Sequence, residues 1–207
     1  MDNVGLRERK RLETQRDIEE AAIELVARDG LERTTVDAIS QRANVSARTF
    51  FNYFDSKEAA ILGLHDYEIT HEMLSTYVAV RQSTDVITTV VGMLLDILGP
   101  SIADPALHKA RKQAIHQYPH LLERQFTHMT RMTNQLTDAT RTLLQEAPHF
   151  DKQSPSNLRL QSEVVLMICG GGVRVAIREW VMTSKKISLD TLKQRAVSLT
   201  REVIEKL

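Results

Sequence analysis

"VDAISQRANVSARTFFNY", Val36 to Tyr53, is the stretch on which the reading of this 207-residue chain turns. Ile39 and Ala43 lie four apart, as the inward face of a short helix requires. Thr35 stands before that helix as an N-cap, and Ser46 stands in the same way before a second one, "ARTFFNY". Between them Asn44 tolerates the left-handed backbone of a tight helix exit, and Val45 is the apolar residue that plugs the angle. Two short helices across a three-residue turn form a helix-turn-helix. Of the chain's aromatic residues, four are crowded at Phe50, Phe51, Tyr53 and Phe54. A helix buries positions three and four apart, so these rings cannot all face one core. Phe50 and Phe54 are assigned to the core, and Phe51, Asn52 and Tyr53 to the outside.

The leading turn of the second helix offers Ala47, Arg48 and Thr49, where a recognition helix meets base edges in the major groove. Arginine can take guanine through two hydrogen bonds, and a threonine methyl packs on thymine. Amides at the capped ends, Thr35 and Ser46, can bind phosphate with the helix dipole. Phe51, Asn52 and Tyr53 can reach phosphates, sugars and thymine methyls, and Lys57 is a further phosphate contact.

Outward from this core motif nearly every segment reads as helix. Ile18, Ala21, Ala22, Leu25 and Val26 recur at helical spacing, and Gly30 is placed to stop that helix. Ser56 caps "KEAAILGLHDYEITHEMLSTYVAV", read as one long helix with a stripe at Ala60, Leu64, Tyr67, His71, Leu74 and Val78. Asp85 opens a helix to about Leu98, which "GPSIADP" breaks; Asp104 with Pro105 starts another, ended or kinked by Pro119. Leu122, Phe126, Met129, Leu136 and Leu143 mark a long amphipathic helix to Ala147. Ser154 or Ser156 opens an apolar helix to about Met182, and after a short turn, "TSKKIS", Ser188 caps a last one with a heptad from Leu189 to Val203. The fold class is all-α: a three-helix helix-turn-helix domain over 1–56, then a larger helical domain over 57–207.

The totals narrow the function. Hydrophobic content of 42% and charged content of 26% are those of an ordinary globular protein. Eight Gly and five Pro leave little room for a turn-rich β-sandwich. The single cysteine, Cys169, excludes an internal disulfide and any multi-cysteine zinc site. "MDNVGLRERKRLE" has no apolar segment and does not read as a secretory signal. The most apolar run, Val164 to Ile177, is short for a membrane span and is interrupted by Arg174. A cytoplasmic protein without a membrane partner is expected.

Net charge is zero, and residues 1–57 carry ten basic against eleven acidic side chains. A case for DNA binding must therefore rest on where charges lie. Arg7, Arg9, Lys10, Arg11 and Arg16 cluster at the start, followed by Asp17, Glu19, Glu20 and Glu24.

In "GLERTTVDAISQRANVSARTFFNYFDSKEAAI" the order of Gly30, "TTVDAIS", "NVS" and "TFFNYFDSKE" closely resembles the DNA-binding domain of the TetR family of transcriptional regulators. The resemblance covers about Glu13 to Ile61; beyond it, only length and helical pattern agree. It implies DNA contacts from Thr35, Ser46, Ala47, Arg48, Thr49, Phe51, Asn52, Tyr53 and Lys57. Two positions depart from the family pattern: Asn44 stands where Gly is usual, and Asn52 where an aromatic or basic residue is frequent. Arg48, where a small residue or Pro is common, is the best candidate for reading a base. The resemblance further implies a homodimer joined through its last two helices, an operator in duplex DNA, and release by a small-molecule effector.

In the body, "CGGGV" at Cys169–Val173 places three glycines inside an apolar helix, each costing about 1 kcal/mol against Ala. Something must approach closely there, a neighbouring helix or a ligand. Met93, Met129, Met132 and Trp180 are candidate effector lining, set against the ordinary alternative of core filling. His116, His120 and His128 are irregularly spaced around Pro119 and read as solvated or core histidines, so no metal and no cofactor is expected. No Gly-rich phosphate loop, His-Glu-x-x-His pair or nucleophile setting is present, which argues against an enzyme. The competing reading is a helical adaptor or ligand-binding protein without DNA binding.

Overall fold

The computed structural model describes residues 6–65, 69–102, 105–147, 150, 154–183 and 188–206, and every regular element among them is an α-helix. In order they are α1 (Leu6–Asp29), α2 (Val36–Arg42), α3 (Ala47–Phe51), α4 (Lys57–Leu62), α5 (His71–Arg81), α6 (Val86–Ile102), α7 (Pro105–Gln117), α8 (His120–Gln145), α9 (Pro155–Thr183) and α10 (Leu189–Ile204). The chain is all-α, with a helix-turn-helix near its start.

Hydroxyl caps set most starts. Thr35, Ser46, Ser56, Thr70 and Ser188 each accept a hydrogen bond from the backbone amide three residues on. Asp85 does the same for α6, taking the Thr88 amide at 3.1 Å, and Ser154 takes the Asn157 amide for α9. Each satisfies an amide that has no partner within its own helix.

Two expected helices differ. The long helix from Ser56 is cut into α4 and α5. Gly63 adopts φ 63°, its amide reaches Ala60 O, and the Leu64 amide returns to Ala59 O, which is a complete Schellman stop. A β-carbon on Gly63 would also lie 2.4 Å from the Arg111 guanidinium carbon. The apolar stripe therefore runs across a break, and its Tyr67 lies outside the described residues. Conversely, α6 runs past Leu98 to Ile102, through Gly99 and Pro100. Pro100 forfeits a ladder bond only in the closing turn, where the helix is about to end. Asp104 and most of "TSKKIS" fall outside the described residues.

Packing forms two compact units: one comprises 1–66 with 104–129, the other 67–103 with 130–207. The first unit's core joins Ile18, Leu25, Leu31, Ile39, Phe50, Phe54 and Ile61 with Leu107, Ala114 and Leu121. α7 and the start of α8 thus complete the small helix-turn-helix core. The second unit's core gathers Val90, Met93, Leu94, Leu136, Leu143, Leu166, Cys169, Val173 and Leu192. α9, over Pro155–Met182, is long and apolar enough to cross a membrane. The run from Val164 to Ile177 is thus only part of a longer apolar helix, one face of which packs in that core.

Candidate nucleic-acid interface

α2 ends at Ala43, and Asn44 takes the left-handed conformation with φ 55°. The Val45 amide then bonds to Ser40 O at 2.9 Å, which folds the chain back toward α2. Ser46 accepts from the Thr49 amide at 3.0 Å and shares a 2.8 Å hydroxyl contact with Thr49 Oγ1. α3 follows with Phe50 fully buried.

The rings divide around that short helix. Phe50 meets Phe54 with centroids 5.9 Å apart, both in the core. Phe51 stands edge-on to Phe50 at 5.5 Å but is 58% exposed. Asn52 is exposed as the C-cap of α3. Tyr53 is half-buried with one side on the core, so it is less outward-facing than the sequence suggested. Thr35, Ser46 and Arg48 are exposed, while Ala47 and Thr49 are half-buried.

Lys57 is placed differently from a free phosphate contact. Its ammonium donates to Leu31 O at 2.8 Å and Thr34 O at 2.9 Å, closing the turn between α1 and α2. Sequence reasoning had no local signal for this, because the bond spans 26 residues.

The charges explain how a near-neutral segment can present a local cation. Arg16 pairs with Glu20, Arg28 with Asp29, and Arg42 with Glu24, while Arg33 bonds to Asp29 O. Asp29 is held below the usual carboxylate range chiefly by the Arg28 hydrogen bond. Exposed pairs of this kind add little to stability, but they cancel field locally. Among the described residues, the Arg48 guanidinium has no ion-pair partner.

Three of the four candidate lining residues share the second unit's core. Met93 is fully buried in the second core, Met132 and Trp180 pack half-buried against it, and Met129 is 56% exposed in the other unit. A groove of about 630 Å³ lies instead along α10 beside Thr88, lined by residues including Lys193, Val197, Arg201 and Glu205. All its lining residues but Val197 are of polar type, so an apolar pattern could not have pointed to it. His128 is engaged with His65 O at 2.8 Å. Burial pushes the Cys169 thiol up to about 12, which leaves it protonated and unreactive at neutral pH.

Residues 18–62 match the model for bacterial regulatory proteins of the TetR family. Over 58 residues the chain is 43% identical to the HTH-type transcriptional regulator TcmR of Streptomyces glaucescens, a match covering 28% of this chain and about a quarter (26%) of that protein's length. Among solved structures, the fatty acid degradation regulator FadR from Bacillus halodurans is 21% identical over 90% of this chain and 93% of its own, with a TM-score of 0.44. FadR of Thermus thermophilus, a TetR-family repressor solved with lauroyl-CoA, is 17% identical over 91% of this chain and 93% of its own, with a TM-score of 0.40. The likeness to the TetR family of bacterial regulatory proteins thus lies in residues 18–62, the segment that holds the helix-turn-helix.

Proposed function

We propose that this protein is a cytoplasmic, ligand-responsive transcriptional regulator, a repressor that leaves its operator when a small molecule binds. The observation that carries the reading is the outward leading turn of α3. Among the described residues Arg48 there is exposed and without an ion-pair partner, beside exposed Phe51, while Arg16, Arg28 and Arg42 each pair with an acidic side chain. Thr35, Ser46, Ala47, Thr49, Asn52, Tyr53 and Lys57 would complete the contact surface, with Lys57 acting through its hold on the turn before α2. DNA reading is assigned to 1–56, and effector binding and dimerisation to 57–207. An effector weakens DNA binding only by its preference for a conformer that reads poorly.

A homodimer is supported by α9, where Leu160, Val164, Met167 and Ile168 form an exposed apolar face at helical spacing. Two copies place two reading helices for successive major grooves about 34 Å apart. Met167→Glu should yield a folded monomer in sedimentation runs.

The test of DNA reading is affinity for the protein's own upstream DNA at several salt concentrations. A steep fall with salt, shallower in Arg48→Ala, is expected. Absence of binding at low salt would instead favour a helical adaptor or ligand-binding protein.

A further inference from the structure

The two glycine stops of the first unit are not alike. At the end of α4, Gly63 and Leu64 both return their amides to the helix, to Ala60 O and Ala59 O. At the end of α1, Gly30 has φ 83° and its amide returns to Val26 O at 2.9 Å, but the Leu31 amide does not return. The 6→1 bond of a Schellman stop is thus replaced. The Leu31 amide donates to Tyr118 Oη at 3.2 Å, a hydroxyl 87 residues away. Leu31 is 2% exposed, so water is a poor substitute for this acceptor. Its carbonyl is also held from outside, by Lys57.

We propose that Tyr118 is a positioning residue for DNA reading, its hydroxyl fixing where α2 begins. The proposal rests on the DNA-reading role argued above. Leu31 to Thr34 is the whole turn before Thr35, the N-cap of α2, and α2 carries α3 through the short turn at Asn44 and Val45. A displacement of the turn therefore moves the reading helix as a body. Gly30 is suited to the arrangement twice: by its positive φ, and because a β-carbon there would lie 3.2 Å from the same hydroxyl. Tyr118 follows the last residue of α7, its amide bonded to Ala114 O at 2.8 Å, and its carbonyl accepts from the Leu121 amide as α8 begins. The first residues of α8 belong to this unit and the rest to the other.

Tyr118→Phe keeps the ring and removes the acceptor. The probe is a duplex enriched by the wild-type protein from a random pool, with a scrambled duplex of equal length beside it. Loss of one buried acceptor should weaken the enriched duplex about ten-fold. Binding to the scrambled duplex should stay within about two-fold, since that affinity follows charge, not the pose of α3. Amide exchange at Leu31 should speed up in the same variant. Unchanged affinity for the enriched duplex overturns the proposal. So does a parallel loss on both duplexes with a collapsed melting temperature, because the ring would then only support the fold. If the wild type enriches no duplex, the DNA-reading role itself fails, and this role with it.

Discussion

Glu19 on α1 and Arg111 on α7 form an ion pair whose side chains are only 4% and 7% exposed. His65 Nε2 stands 2.8 Å from the other carboxylate oxygen, and Gln15 lies beside both. The pair joins residues 92 apart and sits where α7 closes the small N-terminal core. A buried pair need not stabilise in total, but breaking one strands a charge. Glu19→Ala should lower the unfolding free energy by about 3–5 kcal/mol, while Glu19→Leu with Arg111→Met should recover most of that loss. Urea denaturation of both variants beside the wild type checks this. A single-variant loss no larger than that of an exposed pair would refute the buried charge.

Asp96 supplies a pH dependence of known sign. Burial raises its pKa above the usual aspartate range, against the 3.1 Å hydrogen bond from Tyr77 and the attraction of Lys193. A carboxyl raised in the folded state contributes stability when protonated, and that contribution is lost as pH rises through the folded value. Asp96→Asn, which can still accept from Tyr77, should therefore melt slightly higher than wild type at neutral pH. The difference should close as the pH falls to about 4, near the ordinary carboxylate value. The effect is small because the side chain keeps contact with solvent. A variant that melts lower at neutral pH would contradict the sign.

How much of this was legible depended on the range of each signal. The caps at Thr35, Ser46 and Ser188, the left-handed Asn44 and the division of Phe50 and Phe54 from Phe51 are local, and the sequence pattern located them. The stop at Gly63 was obscured because apolar spacing continued across it through Leu64, and periodicity does not register a single left-handed residue. On α8, Leu136 and Leu143 are buried, yet Leu122 and Phe126 from the same pattern are 56% and 71% exposed. Pattern marks a face without saying what covers it. The holds of Lys57 on Leu31, Tyr118 on Leu31 and Arg111 on Glu19 span 26, 87 and 92 residues. No local rule reaches that far.

The three adjacent glycines of α9 should respond oppositely to alanine. At Gly172 a β-carbon would lie 2.1 Å from Thr200 Oγ1 and 2.9 Å from Ala196 O, so α10 is the close neighbour. The carbonyl belongs to backbone and cannot swing aside. Gly172→Ala should cost about 1–3 kcal/mol as the helices part. Gly170 and Gly171 meet nothing within 4 Å. Alanine there should gain up to about 1 kcal/mol from helix propensity alone, in a monomeric background such as Met167→Glu. Thermal melts of the three variants decide it, and equal losses at all three positions would refute the assignment of the close approach to Gly172.

The sharpest test separates two neighbouring rings. Phe50 is fully buried and touches both Phe51 and Phe54, so Phe50→Ala should cost about 3–5 kcal/mol and lower DNA affinity only by unfolding the domain. Phe51 is 58% exposed and stands one residue further round α3. Truncating it removes an edge contact to Phe50 but opens no cavity, so Phe51→Ala should change stability by under about 1 kcal/mol. If the outer ring packs on a sugar or a thymine methyl, the same variant should nevertheless weaken binding to the enriched duplex about ten-fold or more. Stability and DNA affinity, measured in parallel, then move apart for Phe51 and together for Phe50. A Phe51→Ala protein that folds and binds as the wild type does would leave its exposure without a role at the interface.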